Sequence, residues 1–172
     1  MNKTVKRITF DSMMLALLCI IGMFSIPLGD NIKVSLQFLM VIIIFGLCDK
    51  LLDKLLIVSL YMLIGLFLPV YAGFSAGITP TFGFVIGFVL SAFIFHLLNL
   101  IKLNDEVVKF YICSFGALTI TYLSGTIFLA LYLSKDFVTS LSIGVLPYIP
   151  FDIAKIIIAS IIVCRVKTIK RI

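Results

Sequence analysis

Asp152 and Lys155 are the two residues of this chain best placed to do chemistry. They stand three apart in Leu146-Pro147-Tyr148-Ile149-Pro150-Phe151-Asp152-Ile153-Ala154-Lys155-Ile156-Ile157-Ile158-Ala159, and the sequence makes them the only charges set inside a long apolar stretch. An ionisable group in a hydrocarbon setting costs about 2.5–3.5 kcal/mol on insertion scales, so it faces a bundle interior, a partner or a ligand. A separation of three puts both side chains on one face of a helix. Pro150 suits a first helical turn, which sets Asp152 near a helix N-terminus, where the dipole favours a carboxylate. The pair is then either a closed structural ion pair, or an acceptor and a donor offered to a small polar ligand.

Further polar detail is confined to a few segments. Residues 68–84 read Leu-Pro-Val-Tyr-Ala-Gly-Phe-Ser-Ala-Gly-Ile-Thr-Pro-Thr-Phe-Gly-Phe, with glycines and prolines to break helices and hydroxyls alternating with aromatics. Irregular backbone at membrane depth is tolerated where it is buried in protein or lines a cavity, and aromatic faces with a few donors suit a small-molecule pocket. An interfacial loop anchored by Tyr and Phe accounts for the same composition equally well. Residues 25–37 form a second candidate lid. Gln37 falls on the same side as Asp152 and reads first as an interhelical hydrogen bond. Ser12 and Ala16 form a small-xxx-small pair, with Gly22 further along. Internal packing is the default use of such spacing, and a docking face for another subunit is the sharper one.

Several functions are set aside. No Gly-rich Lys-Ser/Thr loop is present, so the chain lacks the usual nucleotide cradle. His96 is the one histidine, which removes His-pair metal sites and leaves no nucleophile–base set; near the inner end of its helix it reads as interfacial or packing. Cys19, Cys48, Cys113 and Cys164 fit neither a disulfide framework nor a zinc site and read as small buried hydrophobes. A binding or transport role follows, with no catalytic residues, metal or bound cofactor. Nucleic-acid binding would want a basic solvent-exposed fold, which is not found here.

The elements that hold these residues read as membrane helices. The chain is 62% hydrophobic and only 13% charged, with a mean hydropathy of +1.27, whereas a soluble domain carries about a quarter charged residues. Crossing a hydrocarbon core takes about 20 apolar residues as helix. Six stretches qualify, at about 8–28, 34–48, 51–70, 80–101, 107–133 and 141–166, and they define a single all-α membrane domain over residues 1–172. Lys3, Lys6, Arg7, Lys50, Lys54, Lys102, Lys109, Arg165, Lys167, Lys170 and Arg171 then fall on one side, against Lys33 and Lys135 on the other. This bias predicts that both termini are cytoplasmic and that the first, third and fifth connections face outward. No small-x-small cleavage site follows the first apolar run, so that helix is expected to be retained.

These residues carry a resemblance. Ile26-Pro27-Leu28-Gly29 and Ser35-Leu36-Gln37 are similar to segments of BioY, the biotin-specific substrate-binding (S) component of energy-coupling factor (ECF) transporters. Leu68-Pro69-Val70-Tyr71-Ala72-Gly73 resembles that family's Leu-Pro-Val-Phe-Ala-Gly, and residues 144–155 resemble its closing Pro-Gly-Asp-x-x-Lys element. The resemblance spans nearly the whole chain, with departures. Thr79-Pro80-Thr81-Phe82-Gly83-Phe84 stands for Gly-Pro-Thr-Gly-Gly-Tyr, so a tyrosine hydroxyl is lost, and the stretch between Gly73 and Pro80 is shorter. Ser12-x-x-x-Ala16 stands where the family has Ala-x-x-x-Ala, used to dock the shared transmembrane partner.

The resemblance implies a six-helix S-component fold, multi-pass in a prokaryotic cell membrane. It implies capture of biotin from outside and inward delivery powered by a transmembrane coupling protein and two ATPase subunits, although some members are thought to work without that module. Asp152 and Lys155 would meet the ureido group. Tyr71, Phe74 and Phe82 would lie against the ring and tail, with further hydrogen bonds from Gln37, Ser75, Thr79 and Thr81. The same architecture serving another vitamin or a biotin precursor, or a ligand-free membrane scaffold, are the alternatives.

Overall fold

The computed structural model describes residues 3–27 and 33–170. Among these residues the chain runs α1 (Lys3–Met23), β1 (Ser25–Pro27), β2 (Lys33–Ser35), α2 (Gln37–Leu47), α3 (Leu51–Phe67), α4 (Phe82–Asn99), α5 (Glu106–Leu133), α6 (Phe137–Gly144), a 3-10 turn (Leu146–Tyr148) and α7 (Ile149–Lys170). The two strands form an antiparallel ribbon, with Ile26 opposite Val34.

Apolar side chains cover the outside of the bundle as well as its core. Leu56, Leu60 and Leu63 on α3, Leu90, Phe93 and Leu97 on α4, and Ile157, Ile158 and Ile161 on α7 are exposed. An outward apolar surface of this extent is tolerated against lipid, where the helix already satisfies its own backbone. Both α4 and α5 carry an 18-residue window apolar enough to cross a membrane.

The pairing of α4 with α5 depends on small residues. Gly83 and Gly87 stand four apart, and a β-carbon at Gly87 would lie 2.8 Å from Thr121 Cα, so the two backbones touch. Ser124 Oγ donates to the Gly83 carbonyl at 2.9 Å, an interhelical hydrogen bond of the kind that replaces hydrophobic drive inside a bilayer. The Asp105 side chain caps the start of α5 by accepting from Val107 N at 2.8 Å.

Three segments depart from the predicted helices. The first stretch, expected as helix to about residue 28, ends as helix at Met23 and gives way to β1 at Ser25–Pro27. The second stretch, expected as a span over 34–48, is an 11-residue helix buried at nine positions. At 1.5 Å per residue it is about 16 Å long, roughly half a hydrocarbon core, and it forms the centre of the bundle against α1 and α7. The sixth stretch, expected as one helix over 141–166, is broken. Pro147 has no N–H and disfavours helix in the residue before it, so α6 ends at Gly144; the chain turns and restarts as α7 with Pro150 in its first turn.

Asp152 and Lys155 are not the only buried charges. Lys54, counted with the basic residues of one side of the membrane, and its neighbour Asp53 lie in the first turn of α3 with 0% and 5% of their surface exposed. Arg7 on α1 donates to Asp53 through Nε at 2.7 Å and through Nη2. Lys54 Nζ sits 5.0 Å above the Phe95 ring and has no hydrogen-bond partner among the described residues. Cys48 and Cys113 are buried as expected, but Cys164 is exposed. Ser12 and Ala16 are also exposed, beside Met13 and Ile20, so this pair is not used for internal packing. His96 lies in the last turn of α4 with Nδ1 buried and, among the described residues, unpartnered.

Candidate ligand-binding site

Two loops meet at one end of the bundle. The ribbon is continued by Leu36 N donating to the Phe24 carbonyl at 3.2 Å. The loop between α3 and α4 closes on itself through Tyr71 and Ser75, whose backbones exchange hydrogen bonds at 3.0 and 3.3 Å. Gly73, at φ +74, permits this reversal. Its N–H donates to the Met23 carbonyl at 2.9 Å, which ties the loop to the end of α1. Phe74 meets Phe24 edge-on, with centroids 6.1 Å apart. Of the candidate lid at 25–37, residues 28–32 lie outside the described residues.

Beneath these loops lies a cavity of about 240 Å³. Ser35 and Gln37 line it from the ribbon and α2, and Ala72 and Thr81 from the loop. Phe38, Phe84, Phe88, Leu118 and Leu129 give apolar walls; Thr121, Tyr122, Ile143, Gly144, Tyr148, Asp152 and Lys155 complete it. An apolar cleft with a few convergent polar groups is the usual form of a small-molecule site.

The polar centre is a three-residue cluster. Lys155 Nζ donates to Asp152 Oδ1 at 2.6 Å and Tyr122 Oη donates to Asp152 Oδ2 at 2.6 Å. Asp152 and Lys155 are 6% and 7% exposed, so neither charge is solvated. A carboxylate has about four lone-pair sites. Two are used here, and the group can accept further hydrogen bonds from a molecule in the cavity.

Of the predicted ligand residues, Asp152, Lys155, Gln37 and Thr81 line this cavity. The others do not. Tyr71 is buried behind it, donating through Oη to the Met62 carbonyl at 2.6 Å and packing on Tyr61 and Phe82. Phe82 is buried between Tyr71 and Phe128. Phe74 is 62% exposed. Ser75 Oγ donates to the Ala72 carbonyl at 3.1 Å, and Thr79 pairs with Thr81 at 3.1 Å. Sequence reasoning missed Tyr122, Thr121, Phe84 and Phe88. A signal existed in Thr119-Ile120-Thr121-Tyr122-Leu123-Ser124, a polar run inside an apolar helix.

The model of the BioY family matches residues 1–171. This chain belongs to the BioY family. It is 31% identical over 160 residues to the biotin transporter BioY of Thermotoga maritima, covering 90% of this chain and 92% of the relative. It is 32% identical over 168 residues to a probable biotin transporter BioY of Pyrococcus horikoshii, covering 94% and 96%. Among solved structures, the S-component for biotin from an ECF-type ABC transporter matches with a TM-score of 0.85 and 25% identity, over 98% of this chain and 95% of that one. BioY membership thus extends over the cavity, both loops that close it and the Asp152–Lys155 helix.

Proposed function

We propose that this chain is the biotin-binding membrane subunit of an uptake system, capturing biotin at the outer face for inward delivery. The observation that carries the reading is the Asp152–Lys155–Tyr122 cluster opening into a mostly apolar cavity. Biotin pairs a ureido ring, with two N–H donors and one carbonyl acceptor, with an apolar bicycle and tail. Asp152 accepts a ureido N–H and Lys155 donates to the carbonyl. Phe38, Phe84, Phe88 and Tyr148 are the apolar surfaces for the bicycle. Gln37 and Thr81 supply further hydrogen bonds. Tyr71 and Phe82 act as backing for the wall, and Phe74, Ser75 and Thr79 reach the ligand only through movement of their loop.

The cavity is assigned to the outside because the connections on its side carry only Lys33 and Lys135, while both termini and the opposite connections with the helix turns that follow them carry eleven Lys and Arg, including Lys50, Lys54, Lys102 and Lys109. Six crossings follow when α2 with its flanking residues counts as the second. Energy comes from elsewhere, since the sequence has no nucleotide loop; the exposed Ser12–Ala16 face of α1 is the docking surface for a transmembrane coupling protein with its two ATPase subunits. Titration of purified protein with biotin, beside a thermal-shift panel of other vitamins and biotin precursors, tests the reading. Saturable binding and mass-action stabilisation by biotin are expected. Stabilisation by another compound, with none by biotin, would overturn it.

A further inference from the structure

We infer that Tyr61, which lies outside the cavity, sets the direction of the Gln37 amide and so makes Gln37 the second N–H acceptor of the site. The inference rests on the biotin reading and deepens it. Tyr61 is fully buried, and its Oη lies 3.0 Å from the Val70 carbonyl oxygen. A carbonyl oxygen only accepts, so the hydroxyl proton of Tyr61 is committed to Val70. The Tyr61 oxygen is then left as an acceptor. The group 2.5 Å from it is the end of the Gln37 amide, of which only the nitrogen can donate. Gln37 Nε2 therefore points at Tyr61, and Oε1 is turned away from it.

That orientation is held from several sides. A β-carbon at Gly22 would lie 2.6 Å from Tyr61 Oη and 3.3 Å from the Val70 oxygen, so the backbone of α1 closes over the hydrogen bond. Val70 is itself fixed by its N–H donating to the Leu68 carbonyl at 2.7 Å. Rotating the amide would aim an oxygen at Tyr61 and strip Val70 or Gln37 of its partner. Ser35 Oγ approaches Oε1 only at 3.4 Å, outside the 2.5–3.0 Å of a good O–H···O bond, so Oε1 keeps capacity for a ligand.

Ligand geometry gives the orientation its meaning. The two N–H groups of a cyclic urea diverge on either side of the carbonyl, so one carboxylate satisfies only one of them. Among the lining residues, Gln37 supplies the side-chain carbonyl that complements Asp152. Tyr61 is thus a positioning residue, acting through Gln37 on which N–H groups the site reads.

Calorimetric titration of the full chain with biotin and its two mono-N-methyl ureido derivatives tests this. Wild-type protein should bind both derivatives less tightly than biotin. In Gln37→Leu, biotin affinity should fall about tenfold, the scale of one buried hydrogen bond, and discrimination against one methyl isomer should vanish while that against the other persists. Tyr61→Phe should weaken discrimination against that same isomer, because the freed amide can turn. Gly22→Ala, whose methyl displaces the Tyr61 hydroxyl, should do likewise if Tyr61→Phe fails to fold. Gln37→Glu, which keeps an acceptor toward the cavity, should retain the discrimination. A folded Tyr61→Phe protein, or a Gln37→Leu protein, with the wild-type isomer ratio overturns the inference while leaving biotin binding intact. Absence of biotin binding by wild type instead overturns the function itself.

Discussion

Asp152→Asn tests the polar centre most directly, because it removes a charge while preserving shape. Both carboxylate oxygens receive a donor at 2.6 Å, one from Lys155 and one from Tyr122. An amide can accept only through its oxygen. Lys155 has no acceptor capacity whereas a tyrosine hydroxyl can reverse, so the amide oxygen turns to Lys155 and the amide nitrogen donates to Tyr122. The buried ammonium keeps a partner, and the fold should survive. What is lost is a charged acceptor for the ligand. Hydrogen bonds to charged groups contribute about 1.5–3 kcal/mol, which at about 1.4 kcal/mol per decade is roughly a tenfold to 150-fold weaker Kd. Calorimetric titration with biotin in detergent, alongside thermal unfolding, measures both quantities. Asp152→Leu separates them, since an unpartnered buried Lys155 should destabilise by about 3–5 kcal/mol. The double variant Asp152→Leu/Lys155→Met should regain stability without regaining binding. A folded Asp152→Asn protein with wild-type affinity would refute the reasoning.

Other perturbations have equally definite outcomes. Lys54→Met should raise the Tm, because a fully buried ammonium with no hydrogen-bond partner is replaced by an apolar chain of similar length; the gain should be about 1–4 kcal/mol, and a lower Tm counts against it. Gly65→Ala should destabilise by about 1–3 kcal/mol, since its methyl would occupy the space of the Tyr71 ring; chemical denaturation measures it. Ser12→Leu should leave biotin affinity unchanged but reduce uptake in cells supplied with the energising subunits, with equal uptake the contrary result. Asp136 caps α6, and hydrogen bonds from the Thr139 N–H and hydroxyl hold its carboxyl below the usual range. A lowered folded value means that the cap's contribution is present above the ordinary carboxylate range and disappears as pH falls through the lowered one. Amide-exchange protection at Thr139 should track this loss, and Asp136→Ala should abolish the pH dependence.

How much was legible beforehand depended on how local each feature is. The Asp152–Lys155 pair needs only one helix and an apolar context, so both its shared face and its place beside Pro150 could be read directly. Asp53 and Lys54 could not. They follow a polar connection, and only the packing of α3 on α1 and α4 turns their side chains inward. The break before α7 was signalled by Pro147 and Pro150, but continuous apolarity over 141–166 masked it. The position of the aromatics was hidden for a related reason. Composition names Tyr71, Phe74 and Phe82 as pocket material, yet the left-handed turn at Gly73 and Phe74 decides where each ring goes. It sends Phe74 outward, while Tyr71 and Phe82 pack behind the cavity. Most of the cavity's apolar lining comes instead from the α4–α5 pair, whose contact depends on Gly83 and Gly87, with Phe38 added from α2.

The bundle buries charge at both ends, and the contrast between them is what gives Asp152 a role beyond packing. Arg7 satisfies Asp53 across α1 and α3, and Lys54 rests on an aromatic face; among the residues lining the cavity, none of these three occurs. Asp152 and Lys155 are as deeply buried, and a carboxylate joined to an ammonium is often replaceable by apolar residues without loss of stability. A pair kept only for packing would be covered by its neighbours. Here Tyr122 occupies one flank, Gln37 is aimed from α2, and aromatic walls leave the remaining acceptor sites facing an open volume. Replacing the pair by apolar residues should therefore cost the protein its ligand before it costs the protein its fold.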